Sequence, residues 1–83
     1  MDDEYIKEWN EAFNNNMFNI DIMNDIKKRF YENTNNDLIQ IKLMKDNEKC
    51  AIVFKENNET FLNIVCLKSI FKNIDEIKSL VLF

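Results

Sequence analysis

Cys50 and Cys66, Ser69 and Ser79, and two carboxylate pairs at helical spacing, Glu4 with Glu8 and Asp21 with Asp25, are the side chains of this 83-residue chain whose types could do chemistry. A thiol or hydroxyl nucleophile needs a base beside it, and the chain has no histidine to act as one. There is no glycine either, so a phosphate-cradling loop and the strand-turn-helix elbow of a catalytic serine are both ruled out. Either carboxylate pair could hold a divalent cation weakly, yet acids on an exposed helix face are far more often simply solvated. The two cysteines lack histidine neighbours and read as small, reduced, apolar fillers. These residues therefore predict a chain that is not an enzyme, with no cofactor and no metal.

What remains is recognition through shape and charge. The net charge of −4 is uneven: residues 1–25 hold seven acids against Lys7 and sum to −6, and the other 58 residues sum to +2. An acidic end of this kind can meet a basic partner and is unsuited to lying on nucleic acid or an anionic membrane. The acidic start also predicts the absence of a secretory signal. No apolar run approaches the roughly 18 residues of a membrane span, so the chain reads as cytoplasmic. The scarcity of Gly, Pro, Ala and Arg against abundant Asn, Ile, Lys and Phe points to a strongly AT-rich genome, of the kind carried by phages and mobile elements.

These groups must be positioned by local structure. Tyr5, Ile6, Trp9, Ala12 and Phe13 repeat at helical spacing and predict a helix over 3–14, with Glu4, Glu8 and Glu11 along one flank of its apolar stripe. The run Asn14-Asn15-Asn16 ends it, because Asn tolerates the left-handed conformation better than other non-glycine residues. Asn19 then caps a second helix. Phe18 and Met23 are placed to staple its entry, and Ile22, Met23, Ile26 and Phe30 form its inner face. Lys27, Lys28 and Arg29 approach its C-terminal end.

After Asn33–Asn36 the period changes to two, and strands follow at about 38–45, 49–56 and 59–67, joined by two-residue loops at Asp46-Asn47 and Asn57-Asn58. Residues 69–82 return to helical spacing. Ser69 or, with Glu76 three residues on, Asn73 could cap this segment, and its apolar end could also form a short strand. The expected fold is α+β, a single domain over 1–83 of order ααβββα, with a three-stranded antiparallel meander packed against helices. Strict alternation aligns Leu43, Cys50 and Val65, then Ile41, Ile52 and Asn63, then Ile39, Phe54 and Phe61 on the core face, with Asn63 a buried polar group in need of partners.

The opposite face carries Lys42, Met44, Val53, Leu62 and Ile64, an apolar centre flanked by lysines that is either a candidate interaction surface or a face that one helix crosses to cover. Its third strand, 59–67, is an edge that invites pairing with a second copy. The candidate partner-binding residues are therefore Glu4, Tyr5, Glu8 and Glu11 on the first helix, and Lys42, Met44, Val53, Leu62 and Ile64 on the sheet.

Size, acidity and codon bias together resemble the small phage-encoded inhibitors of which anti-CRISPR proteins are the best-known group. That resemblance is one of class, without a shared motif. It implies a module that occupies a partner such as a nuclease or other nucleic-acid enzyme with a basic groove, either with acids placed like duplex phosphates or by an apolar sheet face. An immunity protein, an antitoxin or a homodimer-forming accessory subunit fits the same pattern. The order of one helix, three strands and a helix also resembles the double-stranded RNA-binding domain, which would imply RNA as ligand. That family's basic helix start and glycine motifs have no counterpart here, so direct nucleic-acid binding is not expected.

Overall fold

A computed structural model describes residues 7, 17–44 and 48–82 of the chain. In chain order these form β1 (Met17–Phe18), α1 (Ile20–Thr34), β2 (Asp37–Leu43), β3 (Lys49–Glu56), β4 (Glu59–Cys66), a 3-10 turn (Leu67–Ser69), α2 (Ile74–Leu80) and β5 (Val81–Leu82). The α+β class holds. Strands β2, β3 and β4 form an antiparallel meander, and β1 pairs antiparallel with β5 in a separate two-stranded ribbon. Of the helix expected over 3–14, Lys7 is described, and it is helical and exposed. The loop Asp46-Asn47 lies outside the described residues.

Asparagine does here the work that glycine does elsewhere. Asn19 caps α1, its side-chain oxygen accepting from the N–H groups of Asp21 and Ile22 at 3.0 and 3.3 Å. Phe18 and Met23, on either side of that cap, both join the core. Asn35 ends the helix in the left-handed conformation at φ 60°, its N–H donating to Tyr31 O. Because α1 runs on to Thr34, Lys27, Lys28 and Arg29 stand well before its last turn, which carries no basic residue, rather than at its negative end. Asn57 and Asn58 close the β3–β4 hairpin with φ of 51° and 67°, the two positive values that a type I′ turn demands.

The register agrees with simple alternation except at one point. Leu43 pairs with Cys50 and Cys50 with Val65, and Ile41 pairs with Ile52 and Ile52 with Asn63. At the start of β2, however, a β-bulge between Leu38 and Gln40 places Leu38, not Ile39, opposite Phe54. Leu38 is 4% exposed and Ile39 43%. Two adjacent apolar residues leave the parity of a strand undecided, and an extra residue at a sheet edge reverses it locally while adding twist.

The core lies between the meander, α1 and the C-terminal elements: Met23 and Ile26 from α1, Leu38, Ile41, Leu43, Cys50, Ile52 and Phe54 from the sheet, and Leu67, Ile70, Phe71 and Leu80 from the last segment. That segment divides as its capping signals suggest. Asn73 accepts from Glu76 N–H at 2.9 Å and starts α2, so the preceding turn is separate. Its end becomes β5, with Phe18 and Val81 turned toward the core and Met17 and Leu82 exposed. The Asn19 N–H, donating to Leu80 O at 2.6 Å, continues the ribbon past Phe18.

Candidate functional site

Helix α1 packs against β2, and a single helix about 10 Å wide cannot also cover a third strand. The core-facing side of β4 is therefore partly open. Between it and α1 runs a groove of ≈ 310 Å³ with Ile52, Phe54, Asn63 and Val65 on its floor, Ile26, Arg29, Phe30, Asn33 and Thr34 along the helix wall, and Ser69 and Ile70 at one end. Asn63 is exposed in this groove, which corrects the expectation of a buried amide: the strand that carries it lies beyond the reach of the helix.

Aromatic rings cross the same region. Phe30 tilts against Phe54 with centroids 5.8 Å apart, and Phe54 stacks on Phe61 at 5.6 Å. Phe61, at the outer end of this row, is 37% exposed although it faces the core side.

Three of the groove's polar side chains, those of Arg29, Thr34 and Ser69, are engaged in holding the fold. Arg29, the chain's single arginine, donates from Nη1 to Ile70 O at 3.2 Å and from Nη2 to Glu76 Oε1, tying α1 to the C-terminal segment. Glu76 Oε1 also accepts the Lys72 N–H at 3.2 Å. Asp25 Oδ2 stands 3.2 Å from Arg29 Nε, but off the N–H direction, and Nε makes no hydrogen bond within the protein. Ser69 Oγ donates to Cys66 O at 2.6 Å, and Thr34 Oγ1 donates to Phe30 O at 2.7 Å. Neither hydroxyl has a base placed to activate it, so the groove is suited to apolar and amide contacts rather than to bond making. A second hollow of ≈ 480 Å³ lies against the C-terminal segment, lined by Leu67, Phe71, Ile74 and Ile77 with Lys68 and Lys72.

Of the two arrangements open to the other side of the sheet, a face left in water and a covered one, the burial there agrees with partial cover. Lys42, on the β2 side of this face, is 8% exposed, its ladder partner Ala51 is fully buried, and Met44, Val53, Leu62 and Ile64 are half-buried. Lys42 is engaged rather than free. Lys49, Lys55, Thr60 and Cys66 remain exposed at the margins. Alternation along the strands assigns a side chain to a face but carries no record of whether that face is covered. Glu4, Tyr5, Glu8 and Glu11 lie outside the described residues. Of the acids in residues 1–25, Asp21 and Asp25 are described, and both are exposed on α1.

No family model, curated protein or solved structure matches this chain. Its geometry and charge are what point to a function. Among the described residues no group of three or more His, Cys, Asp or Glu could hold a metal, and no helix is long and apolar enough to cross a membrane.

The cysteines differ sharply in character. Both are free; Cys50 is buried and Cys66 exposed. Burial, and secondarily the nearby Cys66, push the Cys50 thiol up from its usual 9.0 to about 12. A thiol held neutral is a poor nucleophile. Alkylation of the folded chain near pH 8 is therefore expected to modify Cys66 and spare Cys50, with a second adduct in intact-mass spectra appearing only on unfolding. Because the raised value favours the neutral form in the folded state, its contribution to stability is whole below pH 9 and declines as pH climbs toward 12. The stability margin of the chain over a Cys50→Ala variant should narrow across that interval in urea denaturation.

Proposed function

We propose that the chain is a non-catalytic protein-binding module, a small inhibitor that occupies the basic groove of a nuclease or other nucleic-acid enzyme in the cytoplasm. This is the mechanism implied by its resemblance to small phage-encoded inhibitors such as anti-CRISPR proteins. The observation that carries the reading is the separation of charge, −6 within residues 1–25 against +2 over the remainder. A surface of that sign is drawn to the Lys/Arg lining of a nucleic-acid channel, where it displaces the phosphates the channel evolved to hold. Asp21 and Asp25, two of the acids in that sum, are exposed on α1.

The burial of Lys42 supports the reading from the other side. Without it, Lys49 and Lys55 stand apart at the margins of the sheet rather than as a row of phosphate contacts. Phe61, the exposed ring at the sheet edge, stacks on Phe54 and is not a free platform for bases.

Affinity capture from the source cell and its host, run beside a Glu4→Lys, Glu8→Lys, Glu11→Lys variant, tests the proposal. The expected result is one nucleic-acid enzyme retained by the chain, with affinity reduced by roughly 100-fold or more in the variant, since three reversals change the local charge by six. Retention of the same enzyme by the variant at equal affinity would remove the acidic segment from the mechanism.

A further inference from the structure

We propose that β4 is a dimerisation seam, pairing antiparallel with β4 of a second copy about a two-fold axis through Asn63. Among the described residues β4 has a strand neighbour on one side, β3, and its other edge is free. The two edges of the meander are treated differently. β2 carries the bulge at Leu38–Gln40, which interrupts any added strand, whereas β4 pairs with β3 from Glu59 to Cys66 without a shift. Between Thr60 and Cys66 the strand has no charge and no proline, the features that ordinarily protect an edge.

The backbone of that edge is aimed outward. Leu67 N–H donates to Glu48 O at 2.8 Å, so the alternation of an antiparallel ladder sends the N–H and C=O of odd-numbered β4 residues to β3 and those of Thr60, Leu62, Ile64 and Cys66 away from it. A partner strand must therefore pair these even-numbered residues with its own outward set.

What selects a second copy is the pattern of the strand itself. Phe61-Leu62-Asn63-Ile64-Val65 reads the same in polarity from either end. With Asn63 opposite Asn63 of the partner subunit, Leu62 and Ile64 exchange hydrogen bonds across the seam, and Phe61 lies beside the apolar residue at position 65. The two Asn63 residues then face each other at a close, non-hydrogen-bonded position where their amides can bond to one another. Sliding the register by two residues sets Asn63 against Phe61 or Val65 and leaves an amide without a partner, which disfavours the slip. An isologous contact has this self-complementary form. The axis stands across the sheet, so the core faces of both copies remain on one side. The two grooves beside β4 become continuous, and the exposed edge of Phe61 is covered.

Light scattering on the full chain is expected to give twice the chain mass at micromolar concentration, and Leu62→Lys to raise the dissociation constant roughly tenfold or more while circular dichroism stays unchanged. The register has its own test, independent of that variant's folding. In a Cys66→Ser background, mild oxidation should link Asn63→Cys chains into a covalent dimer and leave Leu62→Cys chains, whose counterpart is Ile64, largely unlinked. A monomer at every concentration, as expected if the edge instead receives a strand from another protein, would overturn the proposal. So would a dimer that Leu62→Lys leaves intact, or equal cross-linking at positions 62 and 63.

Discussion

Replacing Glu76 with alanine is expected to lower the stability of the chain by about 2–4 kcal/mol and the melting temperature by roughly 10–25 °C. The side chains of Arg29 and Glu76 are 20% and 12% exposed, so neither charge is well solvated, and they join elements 47 residues apart. Removing the carboxylate leaves Nη2 of Arg29 unpartnered in a partly buried position and also takes the acceptor from the Lys72 N–H. The Nη2 donor left without its acceptor carries most of the cost, because the guanidinium keeps only the half-exposed Asp25 carboxylate, 3.2 Å from Nε, as counter-charge. Arg29→Met together with Glu76→Leu should therefore lose less than the sum of the two single changes, by 1 kcal/mol or more in the order-of-magnitude sense of such cycles. Strict additivity in urea denaturation would show that the pair is a surface contact and not the tie between α1 and the C-terminal segment.

The second large effect concerns two neighbours. Leu38→Ala is expected to cost about 2–5 kcal/mol, because a side chain 4% exposed and packed beside Phe54 leaves a cavity behind. Ile39→Ala, at a bulged and 43% exposed position, should cost under about 1 kcal/mol. The two residues are both large and aliphatic, so hydrophobicity alone would rank them together. Equal losses, or a larger loss at Ile39, would mean that the strand keeps its alternation through Ile39 without a bulge.

That contrast marks where the fold was legible in the sequence. Signals made by a few adjacent residues were readable: the Asn19 cap, the Asn35 stop, the Asn57-Asn58 turn and the Asn73 start of α2. The inward set from Ile41 to Leu43, with its partners on β3 and β4, was readable for the same reason, since a period of two repeats through it. The bulge was not, because Leu38-Ile39-Gln40 satisfies either parity. The β1–β5 ribbon joins two dipeptides more than 60 residues apart, Met17–Phe18 and Val81–Leu82, and a dipeptide has no periodicity to detect. Arg29 read as a cation near a helix end and proved to be a cross-link, its partner fixed only by how α2 packs.

Among candidate site residues the outcome divides on the same physical line. Strand parity placed Lys42, Val53, Leu62 and Ile64 on one face, as the ladder has them, yet parity is silent about cover, and Lys42 is buried. Asn63 shows the converse. It lies on the core side and is exposed, because the width of one helix, not the pattern of the strand, sets how much of the sheet is covered. The groove beside it, which no residue spacing announces, is the feature sequence reasoning missed.

In the function proposed above, this chain competes with nucleic acid for a basic groove. The measurement that tests it most directly is inhibition of the captured enzyme, titrated with the chain at several concentrations of its nucleic-acid substrate and of salt. The expected result is inhibition near stoichiometric ratio that added substrate relieves, that weakens as salt screens the acidic residues, and that the Glu4→Lys, Glu8→Lys, Glu11→Lys variant loses. Inhibition indifferent to substrate, salt and those three reversals, or a captured enzyme that works at full rate with the chain bound, would contradict it.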